Sequence, residues 1–152
     1  MRFIAKNEQE TAAIAQKLAK NLKSGDVLCL SGGLGAGKTV FARALIRALS
    51  GDSALEVPSP TFTLVQAYDT PAVPLWHFDL YRIEDSAEIY ELGWEEALSG
   101  AIVVVEWPER LEFLAPANRL EIGFRSLADD ANQREITLTP HGGMKERHEF
   151  YA

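Results

Sequence analysis

The sequence predicts an α/β fold, in which a mixed sheet with a parallel core and antiparallel strands is flanked by helices. Short apolar segments alternate along the chain with segments of helical periodicity, which is the pattern of a sheet covered by helices. A glycine-rich loop joins one such strand to one such helix. The 152 residues are 47% hydrophobic and 24% charged, as expected of a single globular domain spanning residues 1–152.

The first half of the chain supplies two helices, a strand and the glycine-rich loop. Residues 8–22 carry apolar side chains at helical spacing, and the Ser-Gly-Asp segment at 24–26 ends that pattern. Residues 27–30 (VLCL) form a short apolar run that is typical of a buried strand. After the glycine-rich segment 32–37, residues 40–49 return to helical periodicity. The predicted order is therefore helix, strand, loop, helix.

The second half of the chain is predicted to contribute most of the sheet. A helix is expected at residues 84–98, with a break near Gly93. Because the turn at 69–74 is short, the strands on either side of it are expected to form an antiparallel hairpin. From about residue 141 the chain is polar, and we expect this tail to fray. The predicted strands are residues 61–68, 75–81, 101–107, 119–125 and 134–139.

Charge is distributed unevenly along the chain. The net charge of −7 argues against a protein that grips nucleic acid directly, since such proteins usually carry a basic face. Residues 1–50 hold 8 basic and 3 acidic residues, whereas residues 51–112 hold 2 basic and 13 acidic residues. The second region includes an acidic run at 84–96, which is typical of a solvated helix face and also suits the docking of a basic partner.

The sequence also carries signs of its compartment. Cys29 is the single cysteine, so an intramolecular disulfide is excluded and a reducing compartment is favoured. The first residues lack the apolar segment of a secretory signal, and no apolar run approaches the roughly 20 residues of a membrane span. We therefore expect a cytoplasmic protein that does not contact a membrane.

A phosphate-binding motif lies at residues 32–39, which read GGLGAGKT and match G-x-x-x-x-G-K-S/T. The predicted strand before it and the helix after it are the context that this motif requires. Glycines let successive backbone N–H groups surround a phosphate, and the helix N-terminus adds a positive partial charge. In such a loop Lys38 reaches the β- and γ-phosphates, and the Thr39 hydroxyl binds Mg²⁺. The sequence therefore predicts a P-loop NTPase-like domain.

Two carboxylates follow apolar strands, Asp79 after LWHF and Glu106 after IVVV. Beside a phosphate loop, such residues can hold Mg²⁺ or orient a water for hydrolysis. Aspartate commonly binds the metal and glutamate can act as a base, so we assign Asp79 to the metal and Glu106 to the water, with a shared metal contact left open. The structural alternative is an acid that reaches solvent or pairs with an arginine such as Arg82.

Weaker signals accompany these residues. The segment 59–63 (SPTFT) can act as a switch-like loop or form a plain turn. Trp107 can stack on a base, although such a tryptophan more often packs in a core. Thr11 can contact the nucleotide or be an ordinary helix residue, and His77 is expected to be a structural histidine among apolar neighbours. The hydroxyl-bearing residues of the switch-like loop are Ser59, Thr61 and Thr63.

Taken together, these motifs resemble the bacterial TsaE family (formerly YjeE), P-loop ATPases of tRNA threonylcarbamoyladenosine biosynthesis. The resemblance covers residues 32–108, and the HFDLYR and EWP blocks make it specific. The matching blocks are LGAGKT (34–39), SPTFTLV (59–65), HFDLYR (77–82), ELG (91–93) and VEWP (105–108).

The resemblance implies a small protein that binds ATP and Mg²⁺ and hydrolyses ATP slowly on its own. Members of the family act with TsaB and TsaD, which transfer a threonylcarbamoyl group to an adenosine beside the tRNA anticodon. By position, Lys38 and Glu106 are implied as catalytic residues, with Thr39, Asp79 and Glu106 as metal ligands. The residues expected to contact the nucleotide are Thr11, Gly32, Gly33, Leu34, Gly35, Ala36, Gly37, Lys38, Thr39, Val40 and Trp107.

One position departs from the family pattern. Gly33 stands where an acid is usual in the loop before Leu34. By the logic of the motif this position is not a phosphate ligand, so we expect nucleotide binding to survive. The resemblance to the family therefore does not extend to any role of that acid in partner contact or turnover.

Two other functions remain open at this point. A small-molecule kinase would need an acceptor pocket and an arginine-bearing lid, for which residues 107–130 offer only Arg110, Arg119 and Arg125. A nucleotide-dependent binding module without catalysis would carry the same phosphate loop. The acidic charge argues only against direct tRNA binding, and it fits an ATPase that serves tRNA modification through protein partners.

Overall fold

The computed structural model describes residues 1–127 and 130–150. Four α-helices are Glu8–Ala19 (α1), Lys38–Ser50 (α2), Ala87–Glu91 (α3) and Trp94–Gly100 (α4). Shorter 3-10 segments are Pro108–Leu114, Gly142–Glu146 and His148–Phe150. The strands are Arg2–Ala5 (β1), Val27–Ser31 (β2), Val65–Tyr68 (β3), Leu75–Asp79 (β4), Ile102–Glu106 (β5), Arg119–Leu127 (β6) and Asp130–His141 (β7).

All seven strands join one sheet in the order β1-β7-β6-β2-β5-β4-β3. The pairs β6-β2, β2-β5 and β5-β4 are parallel and form the centre of the sheet. The outer pairs β3-β4, β6-β7 and β1-β7 are antiparallel. The predicted α/β class, with a parallel core and antiparallel strands, is confirmed, as is the hairpin of β3 with β4.

Different helices cover the two faces of the sheet. Leu28 and Val104 belong to the apolar cluster that contains α1 and α2. Val27 and Val105, which alternate with them along the same strands, belong to the cluster that contains α3 and α4. Burial on both faces explains why the central strands are continuous apolar runs in the sequence.

The parallel centre determines where the functional residues meet. The glycine-rich loop follows β2, while Asp79 and Glu106 end β4 and β5 and lie opposite each other in the β4-β5 register. The carboxyl ends of adjacent parallel strands share one edge of a sheet, and this edge is where α/β folds bind their ligands.

Helix boundaries follow local chemistry. The Asn7 side chain accepts a hydrogen bond from the backbone N–H of Glu10 at 2.9 Å and so caps α1. Gly51 ends α2 in the left-handed region, with φ of 70°. Gly93, with φ of 90°, separates α3 from α4, so the predicted break in the helical segment 84–98 is confirmed.

The strand predicted at residues 61–68 is shorter in the structure, where β3 begins at Val65. Residues 61–64 form a turn that the Leu64 N–H closes by donating to the Pro60 carbonyl oxygen at 2.7 Å. Leu64 has φ of 71°, which a regular strand does not allow. The turn keeps the switch-like loop outside the sheet. The sequence analysis also missed β1, whose four residues are too few to show a periodicity.

The C-terminal segment is ordered where the sequence predicts fraying. Met144 and Phe150 are buried in the larger apolar cluster, although the surrounding sequence is polar. The Arg147 guanidinium lies 2.5 Å from an Asp26 carboxylate oxygen and donates to the Asn21 carbonyl oxygen at 2.6 Å. Two apolar anchors and one ion pair therefore hold residues 142–150 on the domain. Residues 151 and 152 lie outside the described residues.

Candidate functional site

The glycine-rich loop connects β2 to α2 through backbone conformations that side chains disfavour. Gly32, Gly35 and Gly37 have φ of 145°, 75° and 108°. Gly37 immediately precedes α2 and has no side chain to cap it, so the first N–H groups of the helix are left for other partners. This is the backbone arrangement that suits an anion at a helix N-terminus.

Two adjacent glycines in this loop differ in what they require. A Cβ atom at Gly32 would lie 2.5 Å from the Phe124 carbonyl oxygen, so the close approach of β6 needs glycine there. A Cβ atom at Gly33 would meet no described atom within 4 Å. The position at which the family usually has an acid therefore faces open space.

A cavity of about 320 Å³ lies beside the loop, at the carboxyl edge of the sheet. Most of the predicted site residues line it, whereas Gly32, Gly33 and Thr63 do not. The predicted residues that line the cavity are Thr11, Leu34, Gly35, Ala36, Gly37, Lys38, Thr39, Val40, Ser59, Thr61, Asp79, Glu106 and Trp107.

Lys38 is buried at the start of α2. Its ammonium donates to the Gly32 carbonyl oxygen, and its Nζ atom lies 3.6 Å from the centroid of the Trp107 ring. Burial lowers the pKa of Lys38 below its ordinary value of 10.5, while the negative charges of Glu106, Glu109 and Asp79 oppose this shift. The ammonium is thus held within the site by a backbone carbonyl oxygen and an aromatic ring.

Glu106 is buried at the end of β5 and has two different neighbours. Its Oε1 atom lies 3.4 Å from the Thr39 hydroxyl oxygen. Its Oε2 atom lies 2.7 Å from Nε2 of His77, a residue that the sequence analysis treats as structural. One oxygen therefore faces Thr39 in the first turn of α2, and the other is held from within the core.

Asp79 connects the end of β4 to the switch-like loop. It accepts a hydrogen bond from the backbone N–H of Tyr81 at 3.0 Å and another from the Thr61 hydroxyl at 3.2 Å. The Thr61 oxygen in turn lies 2.8 Å from that of Ser59. The sequence left open that Asp79 pairs with Arg82. In the structure the Arg82 guanidinium lies over the Phe62 ring instead, with its carbon 4.4 Å from the ring centroid.

The oxygen donors at this edge fit Mg²⁺. The Thr39 hydroxyl, the Asp79 carboxylate and the Glu106 carboxylate are hard oxygen ligands on neighbouring chain segments. No group of three or more His, Cys, Asp or Glu residues that could hold a metal occurs in the described part of the chain. Phosphate oxygens and water would therefore have to supply further ligands, which is how Mg²⁺ is usually held in nucleotide sites.

Four further cavity-lining residues were missed by the sequence analysis: Glu8, Tyr81, Asn132 and Arg134. The Arg134 guanidinium, on β7, donates to the Gly35 carbonyl oxygen at 3.0 Å, although 99 positions separate the two residues. The Tyr81 ring lies 4.8 Å from that of Trp107. Tyr81 could have been found, since it belongs to the HFDLYR block. Arg134 depends on a long-range strand arrangement that no local motif reveals.

Two of the three arginines that a kinase lid could use, Arg119 and Arg125, have other partners. Arg119 lies 3.0 Å from Glu121, and Arg125 lies 3.0 Å from Glu135. Both pairs lie on β6 or between β6 and β7, so the structure gives the kinase alternative no support from them. Across residues 1–127 and 130–150, no helix combines the length and apolar character needed to cross a membrane.

Comparisons with known proteins agree on one family. The family model described as threonylcarbamoyl adenosine biosynthesis protein TsaE matches residues 5–136. A Rickettsia felis protein named tRNA threonylcarbamoyladenosine biosynthesis protein TsaE is 43% identical over 136 residues, which cover 90% of this chain and 78% of that one. The Bacillus subtilis protein of the same name is 43% identical over 141 residues, covering 92% and 85%. The crystal structure of Bacillus subtilis YdiB aligns with a TM-score of 0.82 at 34% identity, covering 99% of this chain and 93% of that one. The chain therefore belongs to the TsaE family of tRNA threonylcarbamoyladenosine biosynthesis proteins.

Proposed function

We propose that this protein is a Mg²⁺-dependent ATPase that acts with TsaB and TsaD in forming threonylcarbamoyladenosine on tRNA, and that it hydrolyses ATP slowly alone. The observation that carries the proposal is the position of Glu106. Its carboxylate reaches the Thr39 hydroxyl of the P-loop and lies opposite Asp79 across the β4-β5 register. A phosphate loop, a hydroxyl and two carboxylates at one sheet edge are the parts that nucleotide hydrolysis needs.

The binding role falls to the loop and to Lys38. Backbone N–H groups of residues 34–38 at the start of α2 would receive the β-phosphate, and Lys38 would leave the Trp107 ring to contact the terminal phosphates. Thr39, Asp79 and Glu106 would hold Mg²⁺, which supplies charge neutralisation on the phosphate oxygens when it is bound. Thr11 and Trp107 line the same cavity, and we propose that they contact the rest of the nucleotide.

The hydrolytic role falls to Glu106. Its carboxylate would orient a water and accept its proton while the water oxygen bonds to the γ-phosphorus and the bond to the bridging oxygen breaks. Lys38 would stabilise the negative charge that develops on the phosphate oxygens. The proposed role of Asp79 is to hold the metal. Because it also accepts a hydrogen bond from Thr61, a change at the metal would be passed to the switch-like loop.

Coupling to partners would run through the switch-like loop. Thr61 links this loop to Asp79, and the neighbouring Phe62 side chain is 77% exposed. A change of ligands at Asp79 would alter the Thr61 hydrogen bond and the position of Phe62. Nucleotides can shift partner affinity only by binding two states differently. The ATP and ADP forms should therefore bind TsaB-TsaD with different affinities, and equal affinities in a titration would refute this coupling.

The proposal is tested by phosphate release and tRNA modification, each measured with and without TsaB-TsaD, for the wild type and Glu106→Gln. We expect Glu106→Gln to bind ATP but to lose both activities. If Glu106→Gln retains both, Glu106 is not catalytic. If the wild type supports tRNA modification without releasing phosphate, the protein is a nucleotide-dependent binding module. Phosphate transfer to a metabolite rather than to water would indicate a kinase. The proposed location is the cytoplasm, with tRNA contacted through the partners rather than directly.

A further inference from the structure

The side chain of His77 is buried against Glu106 in the core of the sheet. The two side chains are 1% and 3% exposed, and Nε2 of His77 lies 2.7 Å from Oε2 of Glu106. His77 precedes Asp79 by two residues on β4, so both residues point to the same face. On β5 its register partner is Val104, which precedes Glu106 by two. The strand pairing therefore places His77 two residues before the carboxyl edge of the sheet, on the core side of Asp79 and Glu106.

The hydrogen-bonding state of the imidazole follows from its surroundings. Nδ1 of His77 is buried without a hydrogen-bond partner among the described residues. A hydrogen atom on Nδ1 would therefore be an unsatisfied buried donor, at a free-energy cost, whereas a hydrogen atom on Nε2 satisfies the Glu106 carboxylate. Of the two neutral tautomers, the one with its hydrogen on Nε2 is favoured, and it donates to Oε2.

Because Nε2 of His77 donates to one oxygen of Glu106, the two oxygens of this carboxylate have different partners. Oε2 is held by His77 from the core side, while Oε1 lies 3.4 Å from the Thr39 hydroxyl on the cavity side. Without His77, the carboxylate could rotate, and Oε2 would be a buried acceptor without its partner. A catalytic carboxylate needs a fixed orientation, because a small displacement of a reacting group lowers the rate strongly.

We propose that His77 is a positioning residue that orients Glu106, so that Oε1 stays available to the metal or to the attacking water. This inference rests on the proposed ATPase function and adds a role that the HFDLYR block does not reveal by its composition. His77 does not reach the cavity itself, since it is absent from the cavity lining. Its effect on turnover would therefore pass through Glu106.

The test compares His77→Leu, which removes the donor, with His77→Gln, whose amide can restore a donor near the Nε2 position. Val104→Ala is the matched control, because Val104 is fully buried opposite His77 and contacts the core without donating a hydrogen bond. The measurements are kcat for ATP hydrolysis with TsaB-TsaD present, ATP affinity with and without Mg²⁺, and thermal unfolding. Removal of such a supporting hydrogen bond typically costs about 10-fold to 100-fold in activity or metal affinity.

We expect His77→Leu to lower kcat by about 10-fold or more and to reduce the gain in ATP affinity that Mg²⁺ provides. Its ATP affinity without Mg²⁺ should be unchanged, and His77→Gln should recover most of both losses. Val104→Ala should lower the unfolding temperature without affecting either quantity. A His77→Leu protein with wild-type kcat and a wild-type response to Mg²⁺ would overturn the inference, as would equal losses in His77→Leu and His77→Gln.

Failure of the ATPase proposal gives a different result. If the wild type binds ATP but releases no phosphate in any condition, the proposed function fails, and the Mg²⁺ dependence of ATP affinity alone decides the role of His77. In that case a smaller Mg²⁺ effect in His77→Leu than in His77→Gln supports positioning of Glu106. An identical Mg²⁺ effect in the two variants and the wild type contradicts it.

Discussion

The Nζ atom of Lys38 lies 3.6 Å from the centroid of the Trp107 ring. The residue that the phosphate-loop motif assigns to the nucleotide therefore rests on the tryptophan that follows Glu106. Tyr81 packs against the Trp107 ring with 4.8 Å between the ring centroids, so the ring has a partner that does not depend on Lys38. Binding of phosphate would draw Lys38 away from the ring, because a phosphate is a stronger partner than an aromatic face.

This relationship predicts a change in tryptophan fluorescence. Lys38→Ala removes the cation from the Trp107 ring, so its emission without nucleotide should shift from that of the wild type and towards that of the ATP-bound wild type. Trp76 and Trp94 lie in or against the smaller apolar cluster and provide a constant background. Identical emission of the wild type and Lys38→Ala without nucleotide would show that the contact does not persist in solution.

Because Lys38 is buried, we expect its charged side chain to lower the free energy of unfolding of the nucleotide-free protein. Its pKa is lowered in the folded state, so the charged ammonium costs folding free energy at neutral pH, below both the folded and the unfolded pKa. This cost declines as the pH rises through the folded pKa, and it is gone above 10.5, the value of an unfolded lysine, where both states are deprotonated.

Lys38→Met should therefore raise the free energy of unfolding at neutral pH, and the gain should shrink as the pH increases. Urea denaturation without nucleotide at several pH values measures this difference. A variant that is equally stable at neutral pH, or whose advantage grows with pH, would contradict the sign of the shift. Such a gain at the expense of function is a common property of binding sites.

The phosphate loop allows a matched test at adjacent glycines. Gly32→Ala places a Cβ atom 2.5 Å from the Phe124 carbonyl oxygen at a φ of 145°, so we expect destabilisation of at least about 2 kcal/mol. Gly33→Ala meets open space and should change stability by less than about 0.5 kcal/mol. Chemical denaturation of the two variants checks the difference, and similar losses in both would refute the close approach of β6 to Gly32.

Substitutions at Gly33 also test the contribution of the acid that the family resemblance leads us to expect at this position. Gly33→Glu should fold and bind ATP as the wild type does, because the position faces open space beside the loop. Any change in turnover with TsaB-TsaD would then come from the acid itself. Gly33→Gln, which has nearly the same shape without the charge, is the control. Loss of ATP binding in both variants would mean that a side chain at this position obstructs the nucleotide, contrary to the open space found there.

The ion pair between Arg147 and Asp26 predicts that the C-terminal segment stabilises the domain. Their side chains are 14% and 7% exposed, and Arg147 also donates to the Asn21 carbonyl oxygen. Removing a hydrogen bond to a charged, partly buried partner typically costs about 2 kcal/mol, so Arg147→Ala should lower the free energy of unfolding by that amount. Lys145→Ala, at an exposed side chain of the same segment, is the control. Equal stability of Arg147→Ala and the wild type would mean that the tail frays.

Local chemistry explains why much of the fold could be predicted from the sequence. The apolar run before the glycine-rich loop has the signature of a buried parallel strand, and the motif fixes the loop that follows it. Gly93 interrupts a helical pattern at a position that requires a left-handed conformation. Asp79 and Glu106 end apolar strands, and the parallel register brings them together. A few adjacent residues determine the loop and the helix break, and they mark the two strand ends that the register then brings together.

The parts that were missed depend on distant residues. Arg134 reaches the loop only because β7 pairs with β6 and β6 lies beside β2. His77 looks like a core residue in the sequence, and its bond to Glu106 depends on the offset between two strands. The tail was expected to fray because its average polarity hides Met144 and Phe150, which find their apolar partners on other elements.

The central claim is that ATP bound at Lys38 and its loop is hydrolysed in support of tRNA modification. Its most direct test is a reconstitution with TsaB, TsaD, tRNA and ATP, in which phosphate release and threonylcarbamoyladenosine formation are measured for the wild type and Lys38→Ala. We predict that the wild type supports both and that Lys38→Ala, although folded, supports neither. Modification at the wild-type level by Lys38→Ala would contradict the claim.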